Sequence, residues 1–252
     1  SQPSQHSQHS QINLRNIRTI NRSINRTINR NIKNMKNIFI IPGQLNKISI
    51  FLSPWFAFFS FILLLFGLWL SFFNSPVDYQ QGNAVRILYI HAPSAWLSML
   101  IYSFLAINSF FGLVYGHVTA FCLARASAPI GLTFTSICLV TGSIWGKPMW
   151  GTWWVWDARL TSVLVLFFFY IGYIVFSKSF TDFIKGEKFS SILSIIGIVN
   201  LPIIKFSVDY WNTLHQPASI SKLSSPSIHI DMLVPLIAVS YTHLTLPTIL
   251  LV

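Results

Sequence analysis

Five stretches of this 252-residue chain, at 50–73, 93–115, 126–145, 160–176 and 190–206, are apolar enough to cross a bilayer as helices. A hydrocarbon layer about 30 Å thick takes roughly 20 helical residues, and it holds no water, so each crossing segment must satisfy its own backbone hydrogen bonds. That requirement leaves one fold class: all-α, a polytopic membrane bundle. The fourth and fifth stretches are short, which predicts little tilt or a thinned bilayer around them. A further apolar run, 230–252, carries Pro235, His243 and Pro247 and is an uncertain sixth helix or a divergent tail. With it the bundle has about six transmembrane helices. Only 9% of the residues are charged, against about 25% in soluble domains.

The charge that remains is unevenly placed. Seventeen Lys and Arg face six Asp and Glu, yet eight of the seventeen lie in the first fifty residues, which contain no acid. Residues 1–49 form an Asn/Ile/Arg/Ser-rich run without the apolar density for a core. They read as a disordered low-complexity tail, or as a targeting segment, since Arg-rich, acid-free N-termini suit mitochondrial import. Met35 is a candidate start. The basic excess belongs to this tail, so no nucleic-acid partner is expected; the partner is the lipid bilayer. With consecutive spans, the tail and the loops after helices two and four hold twelve Lys and Arg, and the opposite side holds five. The positive-inside rule then places the N-terminus inside. A start at Met35 would reduce the ratio to six against five.

In this topology residues 50–229 form a membrane domain whose outer loops carry most of the chemistry. Five of the nine Trp (Trp145, Trp150, Trp153, Trp154, Trp156) fall within twelve residues. Pro148 suits the first position of a helix, and a short interfacial helix from there would put Trp150, Trp153, Trp154 and Asp157 on one face. One or two Trp would be an aromatic belt. Five of them beside Asp157, Lys147 and Arg159 look like a stacking surface for a flat apolar ligand that also carries charge.

His91 and His215 flank this loop, each two residues before a proline. An iron porphyrin asks for two axial imidazoles, aromatic support and cations for its propionates, and Arg86, Lys147 and Arg159 are available for the last role. His6, His9, His117, His229 and His243 lie elsewhere and read as structural.

The stretch Trp150-Gly-Thr-Trp-Trp-Val-Trp-Asp157-Ala-Arg-Leu-Thr-Ser resembles the tryptophan-rich signature of the heme exporter protein C family of cytochrome c maturation. Tyr89-Ile-His91-Ala-Pro, Thr141-Gly-Ser-Ile-Trp-Gly-Lys-Pro-Met-Trp and Asp209-Tyr-Trp-Asn-Thr-Leu-His215-Gln-Pro are similar to the same family. The likeness runs over about 52–217. It implies an integral membrane protein of six helices that holds non-covalent, b-type heme on its outer face. By the same resemblance His91 and His215 are axial ligands of the heme iron, and Trp150, Gly151, Trp153, Trp154, Trp156 and Asp157 support the heme edge and contact a membrane-anchored heme chaperone. An ABC-type ATPase, a second permease subunit and a small single-helix subunit are the implied neighbours, with apocytochrome c downstream. Residues 1–49 have no counterpart in the family pattern, and beyond about 217 the likeness fades. The implied location is the mitochondrial inner membrane, with the bacterial plasma membrane as alternative, and the heme site on the intermembrane-space or periplasmic side.

Two other classes are weighed against this. An ATP-driven enzyme would need a phosphate loop, and Gly142-Ser-Ile-Trp-Gly-Lys-Pro has three residues between its glycines instead of four, with Pro where Ser or Thr belongs. Cys122 and Cys138 make no Cys-x-x-Cys pair, so neither thiol redox catalysis nor covalent heme attachment is expected. A permease or channel subunit for another small solute would place ionisable groups inside its spans, whereas here the central turns of helices one to four hold none.

Overall fold

The computed structural model describes residues 42–215 and 228–250, which form helices joined by short links. The tail at 1–41, with His6 and His9, and the segment 216–227 lie outside the described residues. The chain divides into two units, Ser1–Leu45 and Asn46–Val252, and the second holds the bundle. Helix α1 (Pro42–Trp69) passes into a π turn, Leu70–Asn74; a 3-10 turn, Asn83–Ile87, leads into α2 (Leu88–Tyr115), then α3 (Val118–Trp150) and α4 (Ala158–Lys178). Helices α5 (Phe183–Gly197) and α6 (Asn200–Tyr210) follow, and α7 (Ile230–Leu250) closes the described chain.

Five helical segments are long and apolar enough to cross a membrane: Ile50–Asn74, Asn83–Tyr115, Val118–Trp150, Ala158–Lys178 and Phe183–Tyr210. They correspond to the five expected spans, with longer bounds. The fifth is not short: the segment Phe183–Tyr210, α5 and α6 with the two residues between them, has 28 residues, or about 42 Å at 1.5 Å per residue, so thinning of the bilayer is not required. The break between them has a local cause. Pro202 offers no N–H to the Ile198 carbonyl and its ring crowds that oxygen, and the Leu201 N–H instead reaches Ile198 O in a tighter turn at 3.1 Å. The apolar run after 229 does form a helix, α7, whose Leu236 and Val239 are fully buried.

The expected short interfacial helix does not form. Helix α3 runs through Pro148 to Trp150, and Gly151, at φ 76°, stops it with its N–H on the Lys147 carbonyl at 3.1 Å. Only a residue without Cβ takes that left-handed conformation at no cost. Proline in a last helical turn loses only one backbone bond, so Pro148 is tolerated within the last turn of α3 and does not open a new helix. From Gly151 to Trp156 the chain is irregular, held by Thr152 Oγ1, which accepts from the Trp154 N–H at 3.4 Å and donates to the Trp154 carbonyl at 3.1 Å. Asp157 then caps α4 by accepting from the Leu160 N–H at 2.7 Å.

The core sits where α2, α3, α4 and α6 meet: Tyr102, Leu105, Ala124, Ala128, Leu166, Tyr170, Tyr173 and Ile204. Lipid is as apolar as Leu, so helices in a membrane associate by close fit and internal hydrogen bonds rather than by expelling water. Gly131 shows the fit, since a Cβ there would stand 2.1 Å from Tyr170 Cζ, and Tyr170 donates across the bundle to the Ser98 carbonyl at 2.7 Å. Outward-facing Phe51, Phe58, Phe61, Phe104, Phe110 and Phe168 are exposed, as a surface solvated by lipid requires.

Ionisable groups do enter the helices near their starts, outside the central turns of helices one to four, which hold none. Arg125, expected in a loop, lies in α3 and pairs with Glu187 of α5 at 3.3 Å; Tyr173 of α4 donates to the other carboxylate oxygen at 2.8 Å. Glu187 is fully buried. A carboxylate in such a place persists only when both oxygens have partners.

Candidate functional site

A cleft opens between α2, α3, α4 and α6, at the end of the bundle opposite the Arg125–Glu187 pair. It is lined by His91, Trp96, Trp150, Trp154, Arg159 and His215 among others, and reaches down to Ser98, Met99, Cys138 and Lys205. Its empty space is about 1060 Å³, part of it open to solvent.

His91 is the fourth residue of α2, not part of a loop. Its Nδ1 lies 3.1 Å from the Cys138 carbonyl and 3.1 Å from Thr141 Oγ1, both on α3. A carbonyl only accepts, and the Thr141 hydroxyl spends its proton on Ile137 O at 2.6 Å, so Nδ1 must carry the hydrogen and Nε2 is left bare. The approach of the two helices depends on Gly142: a Cβ there would stand 3.0 Å from His91 Cε1. Trp145 meets the imidazole edge-on at 5.6 Å.

His215 reaches the same cleft from the segment after α6. Its Nδ1 is 3.2 Å from Asp157 Oδ2, and the Trp150 ring stands 4.9 Å away at 66°. Burial pushes this imidazole below its ordinary value; the Asp157 carboxylate pulls it up and the Arg159 guanidinium adds to the lowering. A carboxylate oxygen only accepts, so in the contact with Asp157 the Nδ1–H is the donor. Nδ1 is again the protonated nitrogen and Nε2 again bare. Two imidazoles reached by different routes thus arrive in one cleft in the tautomer that can bind a metal, and among the described residues no group of three or more His, Cys, Asp or Glu forms a metal cluster.

The other residues singled out in the sequence divide between the cleft and its rim. Trp150, Trp154 and Arg159 line the cleft, and Trp154 Nε1 is buried without a hydrogen-bond partner. Trp153 and Trp156 are 56% and 76% exposed. Lys147 donates to the Gly151 carbonyl at 3.0 Å and lies 6.0 Å from the centre of the Trp153 ring. Arg86 sits in the 3-10 turn with Nε buried and unpartnered. Neither Arg86 nor Lys147 lines the cleft. Lys205 and Trp96 do line it and escaped the sequence reading. Lys205 stands out in sequence only as the lone cation of an apolar run after Pro202, which is a usable signal. His229 pairs with Asp231 at 3.4 Å, exposed and away from the cleft; Cys138 is a buried free thiol in the cleft lining and Cys122 an exposed one.

The family model for heme exporter protein C matches residues 36–252, so it extends past 217, where the recognisable motifs end, and takes in α7. Heme exporter protein C of Haemophilus influenzae is 54% identical over 195 residues, covering 77% of this chain and 79% of that protein. The Escherichia coli K12 protein of the same name is 52% identical over 176 residues, 70% of this chain and 72% of that one. A putative cytochrome c biosynthesis ccmC-like mitochondrial protein of Marchantia polymorpha is 50% identical over 189 residues, 74% and 80% of the two chains. By the extent of the family match and the identity to these relatives, the chain belongs to the heme exporter protein C family.

Proposed function

We propose that this protein binds heme in the cleft, with the Nε2 atoms of His91 and His215 at the two axial positions of the iron, and passes it to a membrane-anchored heme chaperone during c-type cytochrome biogenesis. The observation that carries the reading is the pair of imidazoles in one cleft, each with Nδ1 tied back and Nε2 free. The remaining residues fit the same cargo. Trp150, Trp154 and Trp96 give apolar aromatic walls, Arg159 and Lys205 give positive charge for the propionates, and the unpartnered Trp154 N–H suits a carboxylate oxygen. No Cys-x-x-Cys-His is present to bind the porphyrin covalently, in keeping with non-covalent, b-type heme.

Heme supplies the redox chemistry; the chain supplies position and electrostatics. Axial imidazoles on both faces keep oxygen and other ligands off the iron until transfer, and transfer requires one imidazole to withdraw. The exposed Trp153 and Trp156 give the chaperone an aromatic surface beside the cleft mouth, and Gly151 sets the turn that presents them. The role is that of a heme-handling scaffold and not of an enzyme. Its expected neighbours are an ABC-type ATPase, a second permease subunit and a small single-helix subunit. Its expected seat is the mitochondrial inner membrane, or the plasma membrane in a bacterium, with the cleft on the intermembrane-space or periplasmic side.

The test is the visible spectrum of the protein purified in detergent. Wild type should show a six-coordinate heme, and His91→Ala and His215→Ala should each lose it or convert it to a five-coordinate form. A six-coordinate spectrum that survives both substitutions would sink the ligand assignment.

A further inference from the structure

The two candidate axial histidines are not held alike. His91 rests on neutral groups, the Cys138 carbonyl and the Thr141 hydroxyl, and is wedged between two long helices. His215 rests on a carboxylate that does two tasks at once: Asp157 Oδ1 takes the Leu160 N–H at 2.7 Å and caps α4, while Oδ2 takes His215 Nδ1–H at 3.2 Å. Asp157 is 8% exposed. It ends the 151–156 loop that Trp150 begins, and Trp150 also touches His215 at 4.9 Å. Both ends of the exposed tryptophan loop therefore grip one of the two imidazoles and neither grips the other.

We infer that Asp157 is a positioning residue for His215: its carboxylate fixes the Nδ1–H tautomer, aims Nε2 at the iron, and makes this axial bond, but not that of His91, depend on the conformation of the tryptophan loop. The inference rests on the heme reading above. Its physical basis is general. A ligating imidazole that donates its second N–H to a carboxylate is fixed in rotation and tautomer and is a stronger donor, and loss of such a partner typically costs about 10–100-fold in metal affinity. A carbonyl or hydroxyl partner gives less. The axial positions are therefore unequal, and docking on Trp153 or Trp156 acts on the His215 side.

Asp157→Asn separates positioning from structure. Asn caps helices about as well as Asp, so α4 should keep its start and the apoprotein its thermal midpoint. With Oδ1 committed to the Leu160 N–H, the amide NH₂ faces His215 Nδ1, which must then accept, and the proton moves to Nε2 where it blocks ligation. In apoprotein labelled with 15N-histidine in detergent, the NMR signal of His215 should change from the Nδ1–H to the Nε2–H form. Heme release to excess apomyoglobin should be about 10–100-fold faster than wild type. Asp157→Ser, which caps α4 but cannot reach His215, should also release heme faster, whereas Thr141→Val, which leaves His91 its Cys138 carbonyl, should accelerate release by less than either Asp157 variant.

Release within twofold of wild type from Asp157→Asn and Asp157→Ser would overturn the inference, provided that His215→Ala loses heme; an unchanged tautomer in the Asn variant would do the same. Equal acceleration by Thr141→Val would overturn the asymmetry. A His215→Ala protein with an unaltered six-coordinate spectrum would overturn the ligand assignment itself, and with it this inference.

Discussion

Gly131→Ala is a one-carbon change that the bundle cannot absorb. The new Cβ would stand 2.1 Å from Tyr170 Cζ, 2.2 Å from Oη and 2.3 Å from Cε1, where ordinary contacts begin at 3.4 Å. Tyr170 or α3 would have to give by about 1.3 Å. Tyr170 has nowhere to go: it is fully buried, its hydroxyl is tied to the Ser98 carbonyl at 2.7 Å, and Tyr102 packs edge-on against it at 5.1 Å. Overpacking of this kind costs about 1–3 kcal/mol, and an interhelical hydrogen bond in a membrane adds about 0.6–1.7, so destabilisation of about 2–4 kcal/mol is expected. Unfolding by SDS titration in mixed micelles measures it. The residue also bears on function, because Ser98 lines the cleft and heme retention should fall with stability. Tyr170→Leu removes the ring atoms that clash, so on that background Gly131→Ala should cost less than about 0.5 kcal/mol, a large departure from additivity. A Gly131→Ala protein within about 0.5 kcal/mol of wild type, or strict additivity with Tyr170→Leu, would refute the close-packing argument.

Glu187→Ala removes the partner of Arg125 and of the Tyr173 hydroxyl; with the guanidinium partly exposed, a loss of about 2–3 kcal/mol in the same titration is expected, below the 3–5 of a fully buried pair. Gly142→Ala presses a methyl to 3.0 Å from His91 Cε1, so the Soret band should shift or weaken while expression and membrane insertion, read by immunoblot, stay normal. Trp153→Ala combined with Trp156→Ala removes exposed side chains, so the unfolding midpoint should move by less than about 0.5 kcal/mol; heme retention should survive and chaperone capture should drop, and normal transfer would reduce these residues to an aromatic belt. Reporter fusion after Lys185 tests sidedness, an outside-only reporter being silent there if the N-terminus is inside.

What the sequence could determine by itself was whatever rests on local composition. Five spans were legible because transfer from water to lipid is a property of each segment taken alone, whereas Gly151 and Asp157, read as parts of one interfacial helix, are a helix stop and a helix start. The tryptophan motif and the two His-x-Pro contexts carried the family resemblance. Pro148 misled because the same proline suits the first turn of one helix and is tolerated in the last turn of another; here the helix ends at Gly151, three residues on. The rest was tertiary. His91 finds its hydrogen-bond partners 47 and 50 residues away and His215 finds Asp157 58 residues away, so neither tautomer could be read along the chain. Lys205 joins the cleft from α6, beyond the break at Pro202, and Arg125 lies in α3, where it pairs with a buried carboxylate two helices later. The sequence decided that the chain enters a membrane and which residue types it carries there; the tertiary packing decided which imidazole nitrogens are tied to partners, because hydrogen bonds between distant segments, unlike hydropathy, exist only once those segments have met.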